Sequence, residues 1–195
     1  MGRRKIRGFD VKKLFFVGLL IPLTLCSCKS RSNDYKMNKE KYLELFNPYT
    51  ITLRTNYQID IDAFGNRQTT EFDNGYAKVD GTHLYHFEDF GEYVACSHIT
   101  SSGTIDYTRK DTPENLYLWW FGSFYYLFSI PYEVLTFDAE EKRYICGEVT
   151  YSEEFTVEKG AMQIYRNKPQ YMEFTLKGYG EYKAYFSRHG EVSLH

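Results

Sequence analysis

The residues that could perform acid–base or nucleophilic chemistry are few and scattered. Asp60 and Asp62 lie two positions apart in an alternating segment, so they share one face of a predicted strand, as a carboxylate pair would. Ser123 follows a glycine in FGSFY, but the second glycine of a nucleophile elbow is missing, which favours a packing role. His83 and His86 fall on opposite faces of a predicted strand and cannot share a metal ion. These patterns predict a protein that is not an enzyme and that binds no metal or cofactor.

The chain has four cysteines, and two of them fall inside predicted strands. Outside the cytoplasm Cys96 and Cys146 can form a disulfide, and two buried free thiols are the alternative. No CxxC pair and no Cys/His spacing typical of a zinc site accompanies them. The other two, Cys26 and Cys28, lie in LTLCSCKS at the end of an apolar run.

The N-terminal segment has the layout of a secretory signal. Six basic residues and one acid occupy the first thirteen positions, ahead of an apolar stretch from Leu14 to Leu25. That stretch is shorter than the ~20 residues that a membrane-spanning helix needs. Its end resembles a bacterial lipobox, in which a small residue precedes a cysteine that becomes lipid-modified. Cys28, preceded by Ser27, fits this pattern better than Cys26 does, and ordinary secretion is the alternative.

The lipobox resemblance implies a lipid anchor on Cys28 and a location at the extracytoplasmic face of a cell membrane. Residues 1–27 would then be the signal peptide, residues 28–33 a short membrane-proximal linker, and residues 34–195 a single domain. Two or more acyl chains hold a protein stably, since each buried methylene contributes ~0.8 kcal/mol. Removing six bases and one acid from 24 and 26 leaves 18 and 25, an acidic domain. We therefore expect no nucleic-acid partner.

Beyond the linker, the sequence predicts a helix that ends at Pro48 and then many short strands. YTITLRTNYQIDID alternates apolar and polar residues, which predicts one long strand over Tyr49–Asp62. Strands near 68–79, 82–88 and 91–100 follow, with a bulge at Asn74-Gly75. Further strands are predicted in SSGTIDYTRK, YEVLTF, KRYICGEVTY, EEFTVE, AMQIYR, YMEFTLK, YKAYFSR and EVSLH. Their turn-bounded spacing is typical of an antiparallel meander.

Between the two sets of strands, TPENLYLWWFGSFYYLFSIP predicts one helix over Pro113–Tyr126. Thr112 suits the N-cap position and Pro113 the first helical turn. Apolar residues occupy every side of this helix, so we expect it to be buried between other elements. At about 15 residues it is too short to cross a bilayer.

This order of elements resembles the LolA/LolB and LppX/LprG lipoprotein-carrier superfamily. The stretches that carry the resemblance are Tyr49–Asp62 as a long first strand after a helix, KVDGTHLYHF as a tight hairpin and FSRHGEVSLH as a closing strand. The resemblance implies an α+β fold in which a strongly curved antiparallel sheet, a half-barrel, packs on an N-terminal helix and the central apolar helix. It also implies a concave face that holds acyl chains.

The chain is rich in aromatic residues, with 19 Tyr, 15 Phe and 2 Trp, and such rings can form a surface for an apolar ligand. We predict that one group of rings on the central helix forms a lid over the concave face of the sheet: Trp119, Trp120, Phe121, Phe124, Tyr125 and Phe128. The alternative is that these rings fill an ordinary core. The leading hypothesis is non-catalytic binding of a hydrophobic or lipid ligand. The alternatives are a partner-binding or envelope-structural module that recognises protein or glycan through aromatic strand faces, and an extracytoplasmic hydrolase.

Overall fold

The architecture is one large sheet with helices on one side. The computed structural model describes residues 33–63 and 65–194. Within these ranges the helices are α1 (Lys39–Leu45), α2 (Pro48–Arg54), α3 (Pro113–Phe121) and α4 (Phe124–Phe128), with a 3-10 turn at Tyr132–Val134. The strands are β1 (Asn56–Ala63), β2 (Asn66–Asp73), β3 (Tyr76–Val79), β4 (His83–Asp89), β5 (Val94–Ile99), β6 (Ile105–Asp111), β7 (Thr136–Asp138), β8 (Arg143–Cys146), β9 (Val149–Thr150), β10 (Thr156–Tyr165), β11 (Lys168–Leu176) and β12 (Gly180–Ser187).

The twelve strands described within these two ranges form a single antiparallel sheet. Their order is β6–β5–β4–β3–β2–β1–β12–β11–β10–β8–β7, and β9 pairs with β10. The pairing of β1 with β12 joins an N-terminal meander to a C-terminal one. The sheet is curved and open, with β6 and β7 at opposite ends of the order. The predicted α+β class and antiparallel sheet are thereby confirmed.

The predicted long first strand is wrong over its first half, because Pro48–Arg54 forms helix α2. The Asn47 side chain accepts a hydrogen bond from the Tyr49 amide, and Pro48 occupies the first helical turn, where its missing N–H is not needed. Pro48 therefore begins a helix and does not simply end one. The alternation resumes correctly in β1, where Tyr57 and Ile59 are buried.

The Asn74-Gly75 pair is a tight turn and not the predicted bulge. It joins β2 to β3, with Asp73 opposite Tyr76 across the hairpin. Both turn residues have positive φ, +46° and +99°. A two-residue hairpin loop that follows the right-handed twist of its strands requires this backbone conformation. Asparagine and glycine adopt this conformation most readily.

The chain after β12 is also not the predicted closing strand, since the strand ends at Ser187. Side chains of β1 and β2 hold this segment instead of a ladder of backbone bonds. The Asn56 amide donates to the Val192 carbonyl at 2.7 Å and accepts from the Val192 N–H at 2.9 Å. The Leu194 N–H donates to the Asp73 carboxylate at 3.1 Å.

The core lies between the helices and the sheet face that they cover, which we call the inner face. Tyr42 and Phe46 of α1 are almost completely buried, and so are Phe72 and Phe87 of the sheet. The Tyr42 hydroxyl donates to the Ile130 carbonyl at 2.8 Å, which ties α1 to the chain after α4. Among the described residues, no helix has the length and apolarity needed to cross a membrane.

Candidate ligand-binding site

The central helix is broken in two, which corrects the prediction of one helix over Pro113–Tyr126. Gly122 has φ +54° and ψ −131°, a backbone conformation that favours glycine, and its N–H donates to the Leu118 carbonyl at 2.8 Å. This arrangement ends α3, as glycine commonly does at a helix C-terminus. Helix α4 begins two residues later at Phe124. The break places the last residues of α3 and the first of α4 over the same part of the sheet.

A cavity of about 440 Å³ lies between this break and the inner face of β1 to β4. Its size falls within the range of small-molecule sites, roughly 300–1,000 Å³. The apolar part of the lining is Ile59, Ile61, Ala63, Phe72, Val79, Tyr85, Trp120, Phe121 and Phe124. The polar part of the lining is Asn66, Arg67, Gln68, Thr70 and Asp80. An apolar interior with polar groups on one side suits an amphipathic ligand.

Three of the six predicted lid residues line this cavity, namely Trp120, Phe121 and Phe124. Phe128 does not line it, because it is buried in the core against the Phe121 ring at 5.2 Å. The other two lid residues do not line the cavity either. The structure therefore places the predicted residues beside Gly122 at the cavity and the other three elsewhere, and a ligand lid stays a prediction.

The remaining two predicted lid residues point elsewhere. Trp119 is 42% exposed, and the Arg109 guanidinium lies 4.8 Å from its ring centroid. Tyr125 is half-buried and packs edge-to-face on Tyr126, with ring centroids 5.6 Å apart. Neither ring lines the cavity, since they project from other sides of the helices.

A row of aromatic rings on β4 to β6 extends the site, and the sequence analysis did not predict it. The Trp120 ring packs edge-on against Tyr85 at 4.7 Å. Tyr85 in turn contacts His98 at 5.0 Å, and His98 stacks on Tyr107 at 5.5 Å. We call Tyr85, His98 and Tyr107 the aromatic shelf. The alternation in HLYHF is enough to place Tyr85 on the apolar face of its strand. Which residues of β5 and β6 lie beside it depends on the register between these strands.

The shelf is polar at its tips and becomes more exposed away from the cavity. Tyr107 is 44% exposed, and partial burial together with its hydrogen bond to Tyr85 raises the pKa of its hydroxyl to about 12. The Nδ1 atom of His98 lies 2.8 Å from the Asp106 carboxylate, which orients the imidazole. At neutral pH the Tyr107 hydroxyl is therefore protonated, and the shelf presents it together with the ring faces.

The polar end of the cavity carries charges of both signs. Arg67 has a largely exposed side chain and lies 3.5 Å from the Asp62 carboxylate. Asp80 accepts a hydrogen bond from the Thr69 N–H at 2.9 Å, so one of its oxygens is already occupied. Arg67 is the register partner of Asp62 on the outer face, so Asn66, Gln68 and Thr70 are the lining residues whose side chains face the cavity mouth.

The candidate catalytic residues do not converge on this cavity. Asp60 belongs to the outer face, opposite the helices, and accepts hydrogen bonds from Gln58 at 2.9 Å and Thr69 at 2.7 Å. Ser123 hydrogen-bonds with the Tyr182 side chain. Asp62, as described above, pairs with Arg67. Each group has a structural partner of its own.

The histidines and cysteines are likewise separated. His86 stacks on Tyr76 with ring centroids 4.4 Å apart, whereas His83 lies 5.8 Å from His98. In the ranges 33–63 and 65–194, no three His, Cys, Asp or Glu residues come together as a metal site would require. Cys96 and Cys146 are buried free thiols, and burial raises the pKa of both. Cys28, the predicted lipidation site, lies outside the described residues.

Comparison with known proteins adds no family to this description. No protein-family model matches the chain, and a search of curated proteins found no significant match.

Proposed function

We propose that this protein is a membrane-anchored, extracytoplasmic lipoprotein that binds an apolar or amphipathic ligand without catalysis. The ligand occupies the cavity between the α3–α4 break and the inner face of the sheet. The observation that carries this proposal is the 440 Å³ cavity itself, lined by Trp120, Phe121 and Phe124 on the helix side. An apolar floor with a few polar groups at the mouth is the composition of small-molecule sites.

Burial of aliphatic chain would supply the affinity. Each methylene transferred from water contributes about 0.8 kcal/mol, so about ten of them contribute about 8 kcal/mol. That is the free energy of a complex with a Kd of about 1 μM, before the costs of ordering the ligand. The polar side chains of Asn66, Gln68 and Thr70 would hold the head group and keep it in contact with water.

The lipid anchor and the superfamily are parts of the same proposal. The anchor rests on the basic and apolar N-terminal layout and on Cys28 after Ser27. Membership of the LolA/LolB and LppX/LprG superfamily, with its half-barrel sheet, is supported by one continuous antiparallel sheet with helices on a single face. Two of the stretches behind the resemblance differ from expectation, because Pro48–Arg54 is helical and the closing strand ends at Ser187. The tight KVDGTHLYHF hairpin is present as β3 and β4.

Native mass spectrometry of the purified protein tests ligand binding. The protein is incubated with a long-chain fatty acid or a phospholipid, and the mass of the retained adduct is measured. Val79→Arg places a charged side chain in the cavity, whereas Leu84→Arg changes the neighbouring strand on its other face and serves as the matched control. We expect adducts on the unmodified protein and on Leu84→Arg, and none on Val79→Arg. Equal uptake by both variants, or no uptake by any form, would contradict the proposal.

A second function is favoured by the exposed end of the aromatic shelf. Tyr107 and Trp119 present large exposed rings beside the cavity, as a surface for protein or glycan would. Tyr107→Ala and Trp119→Ala would then abolish binding to a glycan array or an envelope extract while leaving lipid adducts unchanged. Loss of lipid adducts in Val79→Arg alone would favour the cavity over the shelf.

A further inference from the structure

A second groove, separate from the cavity, lies on the outer face of the sheet. Its volume is about 360 Å³, and it crosses β8, β10, β11 and β12. Arg143 and Ile145 line it, and they alternate along β8 with the core residues Tyr144 and Cys146. The groove therefore lies on the face opposite the helices, and the side chains of Arg143 and Ile145 point away from the core.

A small residue on β10, Ala161, makes this part of the outer face concave. Ala161 pairs with Ile145 on one side and with Glu173 on the other, so a methyl group sits between two long side chains. Ala161 is only 6% exposed, although it faces outward. The residue before Ala161, Gly160, faces the inner side towards Phe174 and Cys146, so Ala161 is the β10 residue that sets the depth of the groove here. A depression with an apolar floor results.

The groove carries more positive than negative charge in an otherwise acidic protein. Arg143 lies 3.4 Å from Glu173, and Lys183 lies 3.3 Å from Glu181. Lys159 also lines the groove, and no ion pair of Lys159 occurs within residues 33–63 and 65–194. One positive charge is therefore left over among the five charged residues that line the groove.

Of the two acids, Glu173 is the more fully occupied. The Tyr171 hydroxyl donates to Glu173 at 2.6 Å, so this carboxylate already accepts from both a tyrosine and an arginine. Arg143 has five N–H donors in a planar fork and uses one of them on Glu173. Arg143, with spare donors, and Lys159, with no ion pair among the described residues, both line the groove, and carboxylate and phosphate match such donors.

We propose that this groove binds a small molecule that joins a carboxylate or phosphate group to an apolar body. Lys159 and Arg143 bind the anionic group, and the apolar body packs on Ile145 and Ala161. This site is independent of the cavity on the inner face, because its charged lining residues lie on the outer face of β8, β10, β11 and β12.

Fluorine NMR with matched probes tests the proposal. The probes are 4-(trifluoromethyl)benzoate, 4-(trifluoromethyl)phenyl phosphate and the neutral 4-(trifluoromethyl)benzamide, each titrated with the purified full chain. We expect one or both anions to bind and the amide to bind at least about tenfold more weakly, the effect of losing a charge-assisted hydrogen bond. The comparison of the two anions identifies the preferred group. Similar affinities for the amide and the anions, or no binding of either anion, would overturn the proposal.

Four variants locate the binding. Lys159→Gln should weaken anion binding about tenfold, and Ala161→Leu should abolish it by filling the floor of the groove. Lys177→Gln removes a surface charge just beyond β11, outside the groove, and should leave binding unchanged. Val79→Arg, which blocks the inner cavity, should also leave it unchanged. Loss of anion binding in Val79→Arg, or full binding in both Lys159→Gln and Ala161→Leu, would refute the assignment to the outer groove.

Discussion

At Gly160 the sheet leaves no room for a side chain. Its Cα faces the Phe174 ring across the β10–β11 pair, and the two residues are register partners. A Cβ at residue 160 would lie 2.3 Å from Cδ1 and 2.5 Å from Cε1 of Phe174, and 3.0 Å from Sγ of Cys146. Real Cβ atoms do not approach carbon so closely, so Gly160→Ala must displace the Phe174 ring. Phe174 is buried and has little room to move.

Two opposite effects decide the size of the change in stability. Replacing glycine by alanine restricts the unfolded chain, which stabilises the fold by about 0.4–1 kcal/mol. Overpacking a buried ring costs about 1–3 kcal/mol. The contacts at residue 160 are with ring carbons of a buried side chain, so we expect overpacking to win. Gly160→Ala should lower the free energy of unfolding by about 1–2 kcal/mol.

Urea denaturation of the purified protein, followed by circular dichroism, measures this difference. Gly147→Ala is the matched control, because a Cβ there meets nothing within 4 Å, and we expect it to be neutral or slightly stabilising. In a Phe174→Leu background the cost of Gly160→Ala should fall by about 1 kcal/mol or more, since the ring is then absent. The reasoning is refuted if Gly160→Ala behaves like Gly147→Ala.

Three further predictions concern the C-terminal segment, pH and thiol chemistry. Asn56→Ala removes hydrogen bonds to Asp73 and to both backbone groups of Val192, and should lower the free energy of unfolding by about 2–4 kcal/mol in urea titrations. Burial lowers the pKa of His189 below its usual 6.5, so the folded state binds fewer protons than the unfolded chain, and stability should fall as the pH drops below about 6.5. His189→Gln should reduce that loss when unfolding is compared at about pH 5 and about pH 7.5. Burial raises the pKa of the Cys96 thiol to about 12, so iodoacetamide should label this residue at neutral pH only after unfolding, as mass spectrometry would show.

Local patterns predicted most of the sheet but not its first element. Alternation and turn residues were enough for β1 and for the meander that follows, because inner and outer residues differ in polarity. They were not enough for Pro48–Arg54, whose β-branched residues also favour a strand. There the Asn47 cap and Pro48 at the first turn outweigh propensity. Asn47 and Pro48 are both visible in the sequence. They show that a helix starts there, and does not end there, only once the apolar residues that follow are known to be buried.

The candidate site was predictable where it depends on one helix. Trp120, Phe121 and Phe124 were proposed because a helix that is apolar on every side is expected to be buried against other elements, and these three residues line the cavity. The contacts of Tyr85 with His98 were not predictable, because they depend on the register of two strands whose turn lengths are not specified locally. The outer groove was missed for the same reason, since Arg143, Lys159 and Lys183 come from three different strands.

The most direct test of ligand binding in the inner cavity uses the two tryptophans of the chain as position-specific reporters. Trp119→Phe leaves Trp120, which lines the cavity, as the one tryptophan, and Trp120→Phe leaves the exposed Trp119. Each variant is titrated with a fatty acid brominated near the middle of its chain, and tryptophan fluorescence is recorded. We predict saturable quenching of Trp120 and clearly weaker quenching of Trp119, whose ring centroid lies 6.1 Å from that of Trp120 in the unmodified protein. Equal quenching of both, or no quenching of Trp120, would contradict a ligand in this cavity.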